Sequence, residues 1–176
     1  MSSDLLTNRV LDALRPIKGD KLAGVTYWAL ENEILSADQF EDPELYLGGE
    51  VEIRFLKCGQ LFVGWDENAG WSHHFSLQAR NSSTFLSNTL VPWSADEIRG
   101  WASLVGSRVS SVAVLGYEDV PHVAALRFGA TTVYIGDGSQ NTFCDGDDVL
   151  IRIGESDPQL CRLSVLWTNE DAAGEL

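Results

Sequence analysis

The chain has 176 residues, 44% of them hydrophobic and six of them tryptophan, so it can bury a sizeable core and is not a disordered polymer. Its 26 acidic residues against 12 basic ones leave a net charge of −14, and no lysine follows Lys57. That balance lacks the clustered cations that nucleic acids and anionic membrane surfaces attract, and it favours a basic partner.

The first residues, Met1 to Leu6, carry neither a positive stretch nor an apolar run, so no signal peptide is expected. No segment approaches the roughly 18 apolar residues of a spanning helix. Cys58, Cys144 and Cys161 are odd in number and irregular in spacing, which argues against a disulfide framework and for a reduced cytoplasmic protein. Val10, Leu11 and Leu14, with Leu5 before them, predict a helix over 4–15, which Pro16 and Gly19 stop. The period then changes to two, predicting strands at 21–29, 50–57, 60–65, 72–79 and 87–92. Ser94 followed three residues later by Glu97 is a capping box, predicting a second helix that runs to about Leu104 and closes at Gly106. Further strands are predicted at 108–115, 121–128, 131–136, 147–153 and 160–167, with hairpin turns at Gly59-Gln60 and Gly129-Ala130.

These elements repeat. Leu11, Leu14, Ile17, Gly19, Leu22 and Val25 match Ile98, Trp101, Leu104, Gly106, Val109 and Val112 at identical spacing. Arg54-Phe55 matches Arg127-Phe128, Phe62-Val63-Gly64 matches Tyr134-Ile135-Gly136, Phe75 and Leu77 match Val149 and Ile151, and Trp93 matches Trp167. Self-similarity at so long a period implies an architecture built of two like units. The expected fold is α+β: one internally duplicated, pseudo-twofold domain over 1–176, with helix-plus-antiparallel-meander units at 3–93 and 94–168.

The offset between the copies falls from 87 at Val25 and Val112 to 73 at Arg54 and Arg127, so the first copy holds 14 extra residues. They lie within 29–50, an acidic insertion with Glu31, Glu33, Asp38, Glu41, Asp42, Glu44 and Glu50 and no Lys or Arg. Insertions in repeats map to loops that carry partner contacts. A second candidate contact is the turn around Trp65, Asp66, Glu67 and Trp71, where two large aromatic anchors stand beside two acids. The alternative for both rings is the core.

Oxygen side chains at Asp137, Ser139, Asn141, Asp145 and Asp148 follow the spacing of a calcium loop, but Thr142 replaces its glycine and the flanks read as strands. An acidic hairpin loop fits better. His73 and His74 are adjacent in a strand and point to opposite faces, so they do not share a metal, and His122 finds no second ligand. No nucleophile elbow, phosphate loop or zinc motif occurs, so no catalytic residue, metal or cofactor is assigned. Arg54 and Arg127 are expected to hold buried carboxylates such as Glu52.

In size, acidity and lack of a catalytic constellation the chain is similar in type to the immunity proteins that protect bacteria from toxins. The expected function is a cytoplasmic acidic protein that binds and neutralises or regulates a basic protein partner, such as a toxin or nuclease. The alternatives are a small enzyme with a pocket between the copies, and a self-assembling structural subunit.

Overall fold

The computed structural model describes residues 3–30, 44–67, 75–83, 90–139, 142–143, 148–154 and 163–169. Helix α1 (Ser3–Leu14) runs into a single 3-10 turn, Arg15–Ile17, because Pro16 has no N–H to continue the α-helical ladder. Val10, Leu11, Leu14 and Ile17 line its buried side. Gly19, at φ +83°, then turns the chain into β1 (Leu22–Leu30). The remaining elements are β2 (Glu44–Leu47), β3 (Glu50–Phe55), β4 (Gly59–Glu67), β5 (Phe75–Arg80), β6 (Leu90–Ser94), α2 (Arg99–Ala102), β7 (Ser111–Tyr117), β8 (Val120–Phe128), β9 (Thr131–Ser139), β10 (Thr142–Phe143), β11 (Asp148–Gly154) and β12 (Ser164–Thr168).

The strands form two antiparallel sheets. The first runs β5-β4-β3-β1-β6, and the second runs β12-β7-β8-β9-β11-β2 with β10 attached to β9. One apolar cluster takes residues from α1 and from both sheets, among them Leu14, Tyr27, Ile53, Trp101, Leu126 and Ile151.

Among the described residues the fold is therefore mostly β, at 63% strand and 12% helix, which corrects the expected α+β domain of two helix-plus-meander units. The second helix is the main reason. It shrinks to the single turn α2, whose N-cap is Ile98 with no side-chain bond. Ser94 is not a cap but the last residue of β6, opposite Thr26. The Ala95 N–H donates to the Val25 carbonyl at 2.9 Å, and the Asp96 carboxylate accepts the Val25 N–H at 2.5 Å. These bonds tie Ala95 and Asp96 to β1, and the chain then turns through Asp96 and Glu97 where the capping box had suggested a helix.

The two sheets are built alike. The order β5-β4-β3-β1-β6 is answered by β11-β9-β8-β7-β12. Val25 faces Ile53 as Val112 faces Leu126, and Tyr27 faces Trp93 as Val114 faces Trp167. One expected match shifts. Trp65 faces Leu77 and Asp137 faces Val149, so Val149 corresponds to Leu77 and not to Phe75. A slip of two residues keeps every side chain on its face, so the alternation of apolar residues does not reveal it.

Between the sheets the entry segments bond reciprocally. The Gly19 N–H donates to Val109 O and the Gly106 N–H to Leu22 O, both at 2.8 Å. The Leu22 N–H donates to Ser107 O and the Val109 N–H to Asp20 O, both at 2.9 Å.

The acidic insertion is not wholly a loop. Its end forms β2, which lies antiparallel to β11 with Leu47 opposite Val149 and fully buried. The chain thus leaves the first sheet after β1, adds a strand to the rim of the second, and returns as β3.

Candidate functional site

Of the residues expected to meet a partner, Glu31, Glu33, Asp38, Glu41, Asp42 and Trp71 lie outside the described residues. Glu44 opens β2, its backbone opposite Arg152. Trp65, Asp66 and Glu67 belong to β4, opposite Leu77, Ser76 and Phe75, so they form a strand end and not a loop. The Trp65 ring is half-buried and packs against the core cluster. Its strand position puts it on the same face as Val63, and that face is the interior.

The opposite face of the first sheet carries a polar network that sequence reasoning only touched. Glu50, Glu52 and Arg54 alternate along β3, and the two glutamates are 2% and 5% exposed. A buried carboxylate is costly unless its oxygens accept hydrogen bonds. Glu52 meets that condition: Oε2 accepts from the Trp28 indole N–H and Oε1 from the Gln60 amide, each at 2.9 Å. The Arg54 guanidinium stands 3.7 Å from Glu52 and 3.4 Å from Asp96, and it donates to Thr26 Oγ1 at 2.6 Å. Gly24 leaves the space for this pair, since a Cβ there would lie under 3.0 Å from both Arg54 and Asp96.

The same positions in the second sheet are apolar. Thr26, Trp28, Glu50 and Glu52 are replaced by Ala113, Leu115, Val123 and Ala125, and Leu115 and Val123 join Leu150, Tyr134 and Leu163 in a small apolar cluster. Arg127 differs from Arg54 in its exposure. It is exposed and donates to Gly129 O at 3.1 Å. The signal for this difference was present in the sequence, in Glu50-x-Glu52-x-Arg54 set against Val123-x-Ala125-x-Arg127, but only the register shows that the positions are equivalent.

Other polar groups bind the frame together. The buried Asp20 carboxylate accepts the backbone N–H groups of Lys21, Lys57 and Cys58 at 2.7 to 2.9 Å. Burial alone would raise its pKa, but these three donors outweigh that and hold it down at about 2. The exposed Cys58 thiol donates to Pro16 O, and partial desolvation together with the Asp20 charge pushes its pKa up, so little reactive thiolate forms. The Trp101 indole N–H donates to the Tyr27 hydroxyl at 2.5 Å inside the core, and burial raises the phenol pKa.

Asp137, which opens the calcium-like spacing, is held by His122 Nδ1 at 2.9 and 3.1 Å, and both side chains are almost wholly buried. The pair ties β8 to β9. Asn141, Asp145, His73, His74, Cys144 and Cys161 lie outside the described residues, and among those described no three metal-binding side chains converge. A shallow groove of about 360 Å³ runs between α1 and β5, lined by Arg9, Asp12, Gln78 and Arg80 among others. No helix among the described residues is long and apolar enough to cross a membrane.

Compared with known proteins, the chain matches no family model, no curated protein and no solved structure.

Proposed function

We propose that this chain is an acidic binding protein of the reducing cytoplasm that neutralises or regulates a basic protein partner, in the manner of a toxin inhibitor. The observation that carries the reading is the stretch Glu31 to Glu44, with six acids and no Lys or Arg, within a chain of net charge −14. β1 ends just before that stretch at Leu30, and β2 fixes its later part to β11. Glu44 is therefore held in a strand, and an anchored charge loses less entropy on binding than one on a free tail does. Several cations are already engaged within the chain: Arg54 with Glu52 and Asp96, Arg15 with Asp12, Lys18 with Asn169 O and Arg108 with Gly19 O. The exposed Glu97 adds to the negative surface. Such a field speeds association with a basic surface and makes it salt-dependent.

The test is capture from the native host's lysate at low salt, eluted with a salt gradient and identified by mass spectrometry. It is run beside a variant with Glu31, Glu33, Glu41 and Glu44 changed to Gln and Asp42 to Asn. One stoichiometric basic protein that the variant holds less tightly is the expected result. An empty column, or equal retention by both proteins, would overturn the proposal.

A further inference from the structure

The two sheets end in equivalent edge strands, each with a tryptophan, and over one of those tryptophans the chain places a cation of its own. On the second sheet, Trp167 of β12 packs against the core cluster, and the Arg15 guanidinium lies over its ring at 5.6 Å from the centroid. Lys18 donates to the carbonyl of Asn169, two residues further on. Both cations come from the turn that leads into Gly19.

On the first sheet the counterpart of Trp167 is Trp93 of β6, which faces Tyr27 as Trp167 faces Val114. The counterpart of the covering turn is 102–105, fixed by the match of Gly19 with Gly106 and by two equivalent bonds, Asp20 N–H to Ile17 O and Ser107 N–H to Leu104 O. In that turn Arg15 becomes Ala102 and Lys18 becomes Val105. The cations are gone from that turn, and among the described residues Trp93 is 37% exposed, Val91 38% and Val105 41%, while on the other edge Trp167 is partly buried and Val165 is 41% exposed. The exposed Glu97 follows three residues after the strand, whereas Asp96 is already engaged by Arg54 and the Val25 N–H. An apolar rim with an exposed tryptophan and a nearby exposed acid suits a cationic, partly apolar partner.

We propose that the β6 edge, centred on Trp93 and flanked by Val91 and Val105, is a docking surface for a basic segment of a protein partner. An arginine or lysine of that segment takes over Trp93 the place that Arg15 holds over Trp167. The inference rests on the basic-partner reading and adds where that partner sits and which residue it covers.

The probe is a fluorescently labelled oligoarginine peptide, titrated at low salt against four forms of the full chain. These are the wild type, Trp93→Ala, the self-covering double variant Ala102→Arg with Val105→Lys, and the control Glu118→Gln with Asp119→Asn. The last two change the net charge by the same amount, so they separate local covering from bulk charge. A cation–π contact at an exposed site predicts roughly three- to fivefold weaker binding by Trp93→Ala and by the self-covering variant, with the control near wild type. The Trp93 indole N–H resonance should also shift on titration in the wild type. If the peptide binds but all four forms bind alike and the indole resonance stays still, the docking surface is refuted while the basic-partner reading stands. If the wild type does not bind at all, both are refuted.

Discussion

Lys21 and Arg108 face each other in a lone antiparallel bridge, and each holds in its own half of the chain the place that the other holds in its half. Around them the backbone bonds between the entry segments are returned: Gly19 to Val109 is answered by Gly106 to Leu22, and Leu22 to Ser107 by Val109 to Asp20. Two sheets of equal strand order thus meet at a self-complementary junction, and the apolar cluster that both supply lies beyond it.

The junction depends on two glycines with φ of +83° and +82°, each with open space where a side chain would start. Gly19→Ala and Gly106→Ala should therefore cost only backbone strain, about 1–2 kcal/mol each and nearly equal. Urea unfolding would show the loss. A neutral effect at either position would mean that the junction relaxes without harm.

Asp20 makes stability depend on acid. A carboxylate held at about 2 in the folded chain, against an ordinary value of 3.8, contributes stability that is fully present above pH 3.8 and lost as pH falls through about 2. Asp20→Asn keeps one acceptor oxygen but brings an amide toward backbone donors, so it should be less stable than wild type at pH 6. That gap should narrow between pH 4 and pH 2. A gap in urea midpoint that stays constant over this range would show that Asp20 does not titrate as its three hydrogen bonds imply.

Tyr27 and Trp101 form a core hydrogen bond between β1 and α2. Tyr27→Phe strands the indole N–H in an apolar surrounding and should cost about 1–3 kcal/mol. Replacing both partners, with Trp101→Phe added, should cost less than the sum of the two single losses. Strict additivity in the double-mutant cycle would rule out the bond as a stabilising contact.

Glu52 accepts from two donors at once. Glu52→Gln leaves a single acceptor oxygen facing the Trp28 and Gln60 N–H groups, a loss of about 1–3 kcal/mol. Adding Gln60→Glu restores an acceptor for the new amide, so the double variant should recover much of the stability in thermal melts. No recovery would place the cost in the Arg54 ion pair and not in these hydrogen bonds.

The sequence by itself determined most of the strands. Side chains that alternate across a pleated sheet leave a period of two wherever one face is drier than the other, and the strands expected on that ground overlap β1, β3 to β9, β11 and β12, but not β2 or β10. It also carried the matching positions of Gly19 and Gly106 and of Trp93 and Trp167, because turn geometry and edge packing act on single residues.

Tertiary structure alone decided the rest, through contacts between residues far apart in the chain. Ser94 and Glu97 have the local chemistry of a helix start, yet the bond from Ala95 to Val25 and the reach of Asp96 to the Val25 N–H hold this stretch to the sheet. β2 gave no local sign, because Glu44 to Leu47 becomes a strand only against β11, about a hundred residues on. The two-residue slip at β5 leaves the alternation unchanged, so it was open until Leu77 met Trp65. The same holds for Trp93 and Trp167. Their likeness could be seen in the sequence, but that Arg15 lies over the Trp167 ring while Trp93 stays 37% exposed is a matter of residues far apart in the chain.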